Sequence, residues 1–194
     1  MAGGELPGQQ KALIDCGYLP VKTKANPNPE LTFFPNCVYK NGNGNFVIPD
    51  SHLKNIFFDA DNLACVYLKR ADNLKGADNL YVNRSGKTVR VLPFDNGCDY
   101  FQEGLSRTVK DGKLGYINKD LDVVIPPKYD FAFHFNSGVA VVCIGCYSVP
   151  IGKDDEHMEV AGGKWGYIDK KGNVVVSISH ERDKIPKPPK VVAK

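Results

Sequence analysis

The chain has 194 residues, a formal net charge of +3, 42% hydrophobic residues and 24% charged residues. Those values suit a soluble globular protein with a sizeable core. They argue against a nucleic-acid binder, which would be more basic, and no apolar run reaches the roughly 18 residues of a membrane span.

From the N-terminus, residues 1–37 show no clear period and read as an irregular cap. Lys11-Ala12-Leu13-Ile14-Asp15-Cys16 fits either a short strand or one helical turn, and Asn26-Pro27-Asn28-Pro29 fits a turn or linker. The first residues lack the regions of a signal peptide. That leaves a cytoplasmic protein, or a periplasmic or extracellular one whose signal has been removed. Six cysteines, Cys16, Cys37, Cys65, Cys98, Cys143 and Cys146, favour an oxidising compartment. The pairing expected is between sequence neighbours: Cys16 with Cys37, Cys65 with Cys98, Cys143 with Cys146. Six reduced thiols in a cytoplasmic protein are the alternative.

From residue 38 to 176 the chain repeats. Gly163-Lys164-Trp165-Gly166-Tyr167-Ile168-Asp169 has an upstream copy in Gly112-Lys113-Leu114-Gly115-Tyr116-Ile117-Asn118. With Tyr39, Tyr81, Tyr116 and Tyr167 in register, the same offset brings up Phe46-Val47-Ile48-Pro49, Thr88-Val89-Arg90-Val91, Val123-Val124-Ile125-Pro126 and Val174-Val175-Val176-Ser177. A further strand precedes three of the tyrosines, as in Leu105 to Val109. The expected fold is therefore all-β, an array of about four three-stranded antiparallel meanders with irregular N- and C-terminal caps. Asp111-Gly112 is a two-residue hairpin turn, and Pro126-Pro127 is expected to end its strand. Gly115 and Gly166 sit inside strands, which implies close approach by a neighbouring backbone or ring. Trp165, Tyr116 and Tyr167 are expected to pack between repeats.

These residues resemble the WG-repeat (KWG-repeat) family. Lys164 to Asp169 matches its pattern in full, and Val123 to Asp130 matches its Val-Val-Ile-Pro-Pro-x-Tyr-Asp segment. Lys113 to Asn118 departs at the tryptophan and the aspartate. The likeness is good from Phe101 to Val176 and weak back to Val38. It implies repeat-mediated binding in bacterial, often envelope-associated, proteins and supplies no catalytic residues.

Two repeats carry insertions between first and second strands, at Tyr67–Leu80 and Cys143–Gly162. Insertions at equivalent places in an array emerge on one side. The expectation is two loops flanking the short Asp111-Gly112 turn, with a groove floored by Lys110, Asp111 and Lys113. Lys69 and Arg70 make the first loop basic; Asp154, Asp155, Glu156 and Glu159 make the second acidic. That polarity suits a protein partner, and a toxin neutralised by an immunity or inhibitor protein is one form of it. The alternative is a glycan or peptidoglycan module with Tyr147 and Tyr67 as a stacking platform.

No enzyme, cofactor or metal site is expected. Cys143-Ile144-Gly145-Cys146 has redox spacing without a βαβ setting and reads as a local disulfide. His157 and its acidic neighbours read as a charged loop tip. His180 to Lys184 lacks the second histidine of a zinc-protease motif. His52 and His134 read as structural, and a hydrolase would need an acid–base pair that the sequence does not reveal. Asn83-Arg84-Ser85, a glycosylation pattern, reads as a turn. Residues 177–194 form a basic, proline-rich tail expected to fray.

Overall fold

The computed structural model describes residues 13–21, 30–42, 45–68, 78–95, 97–151 and 158–188; for 13–21, 30–36 and 78 it describes the backbone. Strands dominate: β1 (Leu13–Val21), β2 (Glu30–Lys40), β3 (Phe46–Val47), β4 (Leu63–Leu68), β5 (Asp78–Asn83), β6 (Thr88–Val91), β7 (Pro93–Phe94), β8 (Gly97–Cys98), β9 (Ser106–Lys110), β10 (Lys113–Ile117), β11 (Val123–Tyr129), β12 (Phe131–Ala132), β13 (Val139–Pro150), β14 (Met158–Asp169) and β15 (Val174–His180). One helical turn, α1 (Asp50–Leu53), follows β3, and a 3-10 turn spans Arg182–Lys184. No helix among the described residues is long and apolar enough to cross a membrane.

The chain forms two compact units, Met1–Val89 and Arg90–Lys194. In the first, the strand order is β5-β4-β1-β2-β3, with antiparallel pairing of β1 to both β2 and β4. Ala64, Val66 and Leu68 alternate along β4, and with Leu80 and Val82 of β5 they join Val38, Ile48, Ile56 and Phe58 in one buried cluster. In the second unit, β9-β10-β11 is one antiparallel meander and β12-β13-β14-β15 a four-stranded sheet. Tyr116, Ile125, Tyr129, Phe135, Val142 and Ile168 are among the buried residues of its core.

The segment read as an irregular N-terminal cap is instead two long strands, so the first meander is complete from β1 to β3. Its period was hidden because the β1–β2 register shifts between Ile14 and Cys16 and again between Cys16 and Leu19. Each irregularity upsets the two-residue alternation by which a strand shows itself in sequence. The other end of the array also moves: β15 runs on to His180, and the start of the expected tail is packed. Arg182 lies 5.2 Å over the Trp165 ring and 5.7 Å from Phe133, and Ile185 packs beside Cys143, Cys146 and Trp165.

The four meanders share one turn. At the end of each second strand, Asn41, Asn83, Asn118 or Asp169 accepts, on a side-chain oxygen, the N–H four residues on, at 3.0, 3.0, 2.8 and 2.9 Å. The backbone N–H of the same residue donates to the carbonyl four residues on. A short polar side chain that mimics a backbone turn explains the recurrence of Asn or Asp there. Asn83 also accepts from the Ser85 hydroxyl at 2.8 Å, so the glycosylation pattern sits in turn chemistry.

The two glycines inside strands set the shape of the last two repeats. Tyr116 faces Ile125 and Leu114 faces Tyr129, so Gly115 alone opposes three residues of β11. Tyr167 faces Val176 and Trp165 faces His180, so Gly166 does the same against β15. The surplus backbone folds over the glycine. A Cβ on Gly115 would fall 2.3 Å from the Ile125 carbonyl oxygen, and one on Gly166 would fall 2.5 Å from that of Val176. This corrects the expectation that Pro126-Pro127 ends its strand. β11 continues through both prolines because they lie in the bulge of a strand whose only partner is β10, where no N–H is required. Val38 and Leu80 occupy the glycine position in the first two repeats, and there β3 and β6 are only 2 and 4 residues long, against 7 for β11 and 7 for β15.

Alanine at Gly166 should therefore destabilise the second unit by about 3 kcal/mol, since the clash is with backbone that cannot rotate away. Gly42→Ala, where an added Cβ meets nothing within 4 Å, is the control, expected within about 0.5 kcal/mol of wild type. Denaturant unfolding of the two variants checks this; equal midpoints would contradict it.

Candidate functional site

The insertion at Cys143–Gly162 is an extension of the β13–β14 hairpin. Its ladder runs outward from Cys143↔Trp165 through Tyr147↔Ala161 to Pro150↔Met158. Beyond Ile144 and Lys164 the two strands pair, among the described residues, only with each other, because β12 stops at Phe131↔Cys143 and β15 reaches only Trp165. The result is a two-stranded ribbon whose backbone edges carry no further strand among the described residues; on the β14 side Arg182 Nη1 donates to the Val160 carbonyl at 3.4 Å. Tyr147 is 61% exposed, and Ile151 and Met158 are each 52% exposed. Val149 and Val160 are part-exposed along the same ribbon.

The base of the ribbon is braced. Cys143 and Cys146 form a disulfide, and the Trp165 indole beside them is 1% exposed and donates from Nε1 to the Gly162 carbonyl at 2.8 Å. Between the cysteines, the Gly145 N–H donates to Asp130 Oδ2 at 2.7 Å, and Lys113 Nζ pairs with Asp130 Oδ1. The Lys113 hydrogen bond and the Gly145 N–H hold the Asp130 carboxyl below the usual range. Lys113, expected on a groove floor, is thus a brace for the segment between the cysteines. Cys37, Cys65 and Cys98 are also disulfide-bonded.

Other expected site residues fall differently. Lys110 and Asp111 are exposed on the β9–β10 hairpin, and Glu159 is exposed near the outer end of β14. Lys69, Arg70, Asp154, Asp155 and Glu156 lie outside the described residues, as do the Asn26–Pro29 turn and His157. The first insertion narrows, since β4 and β5 pair out to Leu68↔Asp78. It belongs to the first unit and the ribbon to the second. Tyr67 is partly buried, and burial pushes its phenol up.

A second feature escaped the sequence. Asp99 is fully buried. Arg107 forks onto it, Nη2 to Oδ1 at 2.6 Å and Nε to Oδ2 at 3.1 Å, while the Arg107 N–H donates to Oδ2 at 2.9 Å. Ser106 Oγ donates to Oδ2 at 3.4 Å, and His134 Nε2 lies 2.9 Å from Asp99 Oδ1. Tyr100 stacks on the imidazole with centroids 4.0 Å apart, and Phe94 meets it edge-on. Burial pulls the His134 pKa down and outweighs the attraction of Asp99. The imidazole is therefore neutral at pH 7, and since a carboxylate only accepts, Nε2 carries the proton. This is the carboxylate–imidazole pair that the sequence reading did not find. Asp99 and His134 are separated by 35 positions, and no spacing rule joins them.

His134 lines an open cleft of about 600 Å³ with Gln102, Phe133, Asn136, Ser137, Val139, Val141, Tyr167 and Pro188. Ser137 donates its hydroxyl proton to Asn136 Oδ1 at 3.0 Å. That proton is directed away from the imidazole, so the geometry is not that of an activated serine. No group of three or more metal-ligating side chains occurs among the described residues.

Tandem antiparallel meanders, each closed by the same Asx turn, define a β-repeat protein. The family model of the WG containing repeat matches residues 115–145 and 165–178, so this part of the chain carries WG-type repeats. Neither a curated protein nor a solved structure gives a significant match.

The Asp130 brace has a pH signature. Its lowered pKa means that it adds stability above about pH 4, the ordinary value of an unfolded aspartate. That contribution is lost as pH falls through the lower folded value. Asp130→Asn should lower stability at pH 7 and flatten the decline below about pH 4. Unfolding midpoints across that range test it; an unchanged acid limb would remove Asp130 from the account.

Proposed function

We propose that this protein is a non-catalytic binding module that grips another protein through the β13–β14 ribbon. One observation carries the reading: a ribbon whose edges carry no further strand among the described residues bears Tyr147, Ile151 and Met158 exposed to solvent. Isolated two-stranded ribbons are marginal in water, and open edges with apolar side chains invite another chain. The disulfide, Trp165 and Asp130 fix its base, so docking orders less chain and loses less entropy.

The partner's chemistry follows from the ribbon. Its flanks are apolar, and the sequence between its strands contains Asp154, Asp155 and Glu156 against Lys153. A partner with an apolar groove and a basic rim complements both, with the charges acting mainly on association rate and specificity. Five described cysteines, all in disulfides, support an oxidising compartment such as the periplasm or the cell exterior. Neutralising a secreted toxin is one form that such binding would take.

The test compares wild type with a Tyr147→Ser, Ile151→Ser, Met158→Ser variant. Each is used as bait in a native envelope extract, and a recovered protein is then purified and titrated against both. Losing three apolar contacts should weaken the reconstituted complex by at least about 100-fold, with unfolding of the bait unchanged. Equal affinity of bait and variant for the purified partner would exclude the ribbon as the contact surface.

A further inference from the structure

The cleft beside His134 has a chemistry of its own, although its Phe133 and Val141 adjoin the foot of the ribbon at Trp165. Among the described residues its lining contains no lysine, arginine, aspartate or glutamate. Of the ions around it, Asp99 and Arg107 neutralise each other inside the fold, Glu103 pairs with Lys170 beside Gly138, and Arg182 lies over the Phe133 ring. A charged ligand would find no counter-ion in the described lining itself. The walls are mixed: Phe133 and Tyr167 offer ring surface, Val139, Val141 and Pro188 offer aliphatic surface, and Gln102, Asn136, Ser137 and His134 offer polar groups.

The polar groups have spare capacity. Asn136 Oδ1 is taken by Ser137, which leaves the Asn136 amide hydrogens to donate. Gln102 Oε1 faces the Tyr100 hydroxyl at 3.4 Å, which leaves the Gln102 amide hydrogens. His134 uses Nε2 on Asp99. Among the described residues Nδ1 has no partner, and it is not among the buried unsatisfied atoms. An unprotonated Nδ1 is an acceptor held in place by the Asp99 bond and by the stacked Tyr100 ring. Two amide donors and one fixed acceptor beside aromatic and aliphatic walls suit a ligand whose polar groups each donate and accept and whose other face is C–H.

We infer that this cleft binds a neutral saccharide, with a ring hydroxyl donating to His134 Nδ1, other hydroxyls or an acetamido oxygen accepting from Gln102 and Asn136, and the sugar's C–H face against Phe133 and Tyr167. Asp99 is the positioning residue for the imidazole. The binding is independent of the ribbon and does not require a protein partner.

The full chain is titrated with chitotriose, cellotriose and maltotriose, and with trigalacturonate as the charged counterpart, by calorimetry and saturation-transfer NMR. At least one neutral trisaccharide should bind, and trigalacturonate should not. Gln102→Ala and His134→Gln should each weaken binding about 10-fold, the loss of one hydrogen bond to a fitted ligand. Gln102 makes only a long side-chain contact with Tyr100, so its variant should fold normally even if His134→Gln does not. Acidification supplies a second readout. Protonated His134 would donate from Nδ1, so affinity should fall below the ordinary histidine range, with Asp99 and Arg107 the charged groups beside the ring and Tyr100 stacked on it. The His134→Gln variant should lose that pH dependence. Failure of every neutral trisaccharide to bind at about 10 mM, the weak limit for a specific site, overturns the inference. So does binding that survives Gln102→Ala but disappears in the ribbon variant.

Discussion

The second unit depends on a close approach of two backbones at a glycine. In β10 and β14 a single residue without a side chain sits under three residues of the next strand. That crowding is possible only because Gly115 and Gly166 have no Cβ. It lets β11 and β15 bend and continue rather than stop. The residue before each glycine, Leu114 or Trp165, is thereby directed into the core, where both are buried. Trp165 then packs against the Cys143–Cys146 bridge and forms the foot of the ribbon. The pairing of a large residue with glycine is one device: the large side chain fills the interior and the small one admits the neighbouring strand.

What that device leaves projecting is the β13–β14 ribbon. A two-stranded ribbon would gain little from its own hydrogen bonds. Here a disulfide, a buried indole and a carboxylate bridging Lys113 to the Gly145 N–H fix its base. The rigid foot and the exposed apolar side chains are consistent with docking to a protein. The cleft depends on the same meanders in another way. Arg107 from β9 and Asp99 before it satisfy each other in the interior, and the surplus capacity of Asp99 sets the tautomer of His134.

Much of the architecture was legible because it repeats. The Asx turn recurs at Asn41, Asn83, Asn118 and Asp169, each two places after a tyrosine, and the sequence shows that spacing directly. Gly115 and Gly166 announced a close approach because glycine in a strand has few other uses. The sequence misled where a local rule met a tertiary exception. Pro126-Pro127 should stop a central strand, but they lie in a bulge of β11. The first strands were missed because their register irregularities mask the alternation. The ribbon was expected as a loop because Gly145, Gly162 and Gly163 resemble loop composition, whereas their positive φ angles sit within a paired hairpin. Asp99 and His134 could not be joined at all, since only the folded chain brings a buried carboxylate under that ring.

The contact on which the account turns can be observed in solution. Nuclear Overhauser spectra of the labelled protein should show cross-peaks from the Gly115 Hα protons to the Pro127 Hδ protons, and from the Gly166 Hα protons to the Ile178 amide. Both follow from backbone atoms within 3 Å of where a Cβ would stand. Their absence, with ordinary one-to-one ladder contacts in their place, would mean that the third strands do not fold over the glycines.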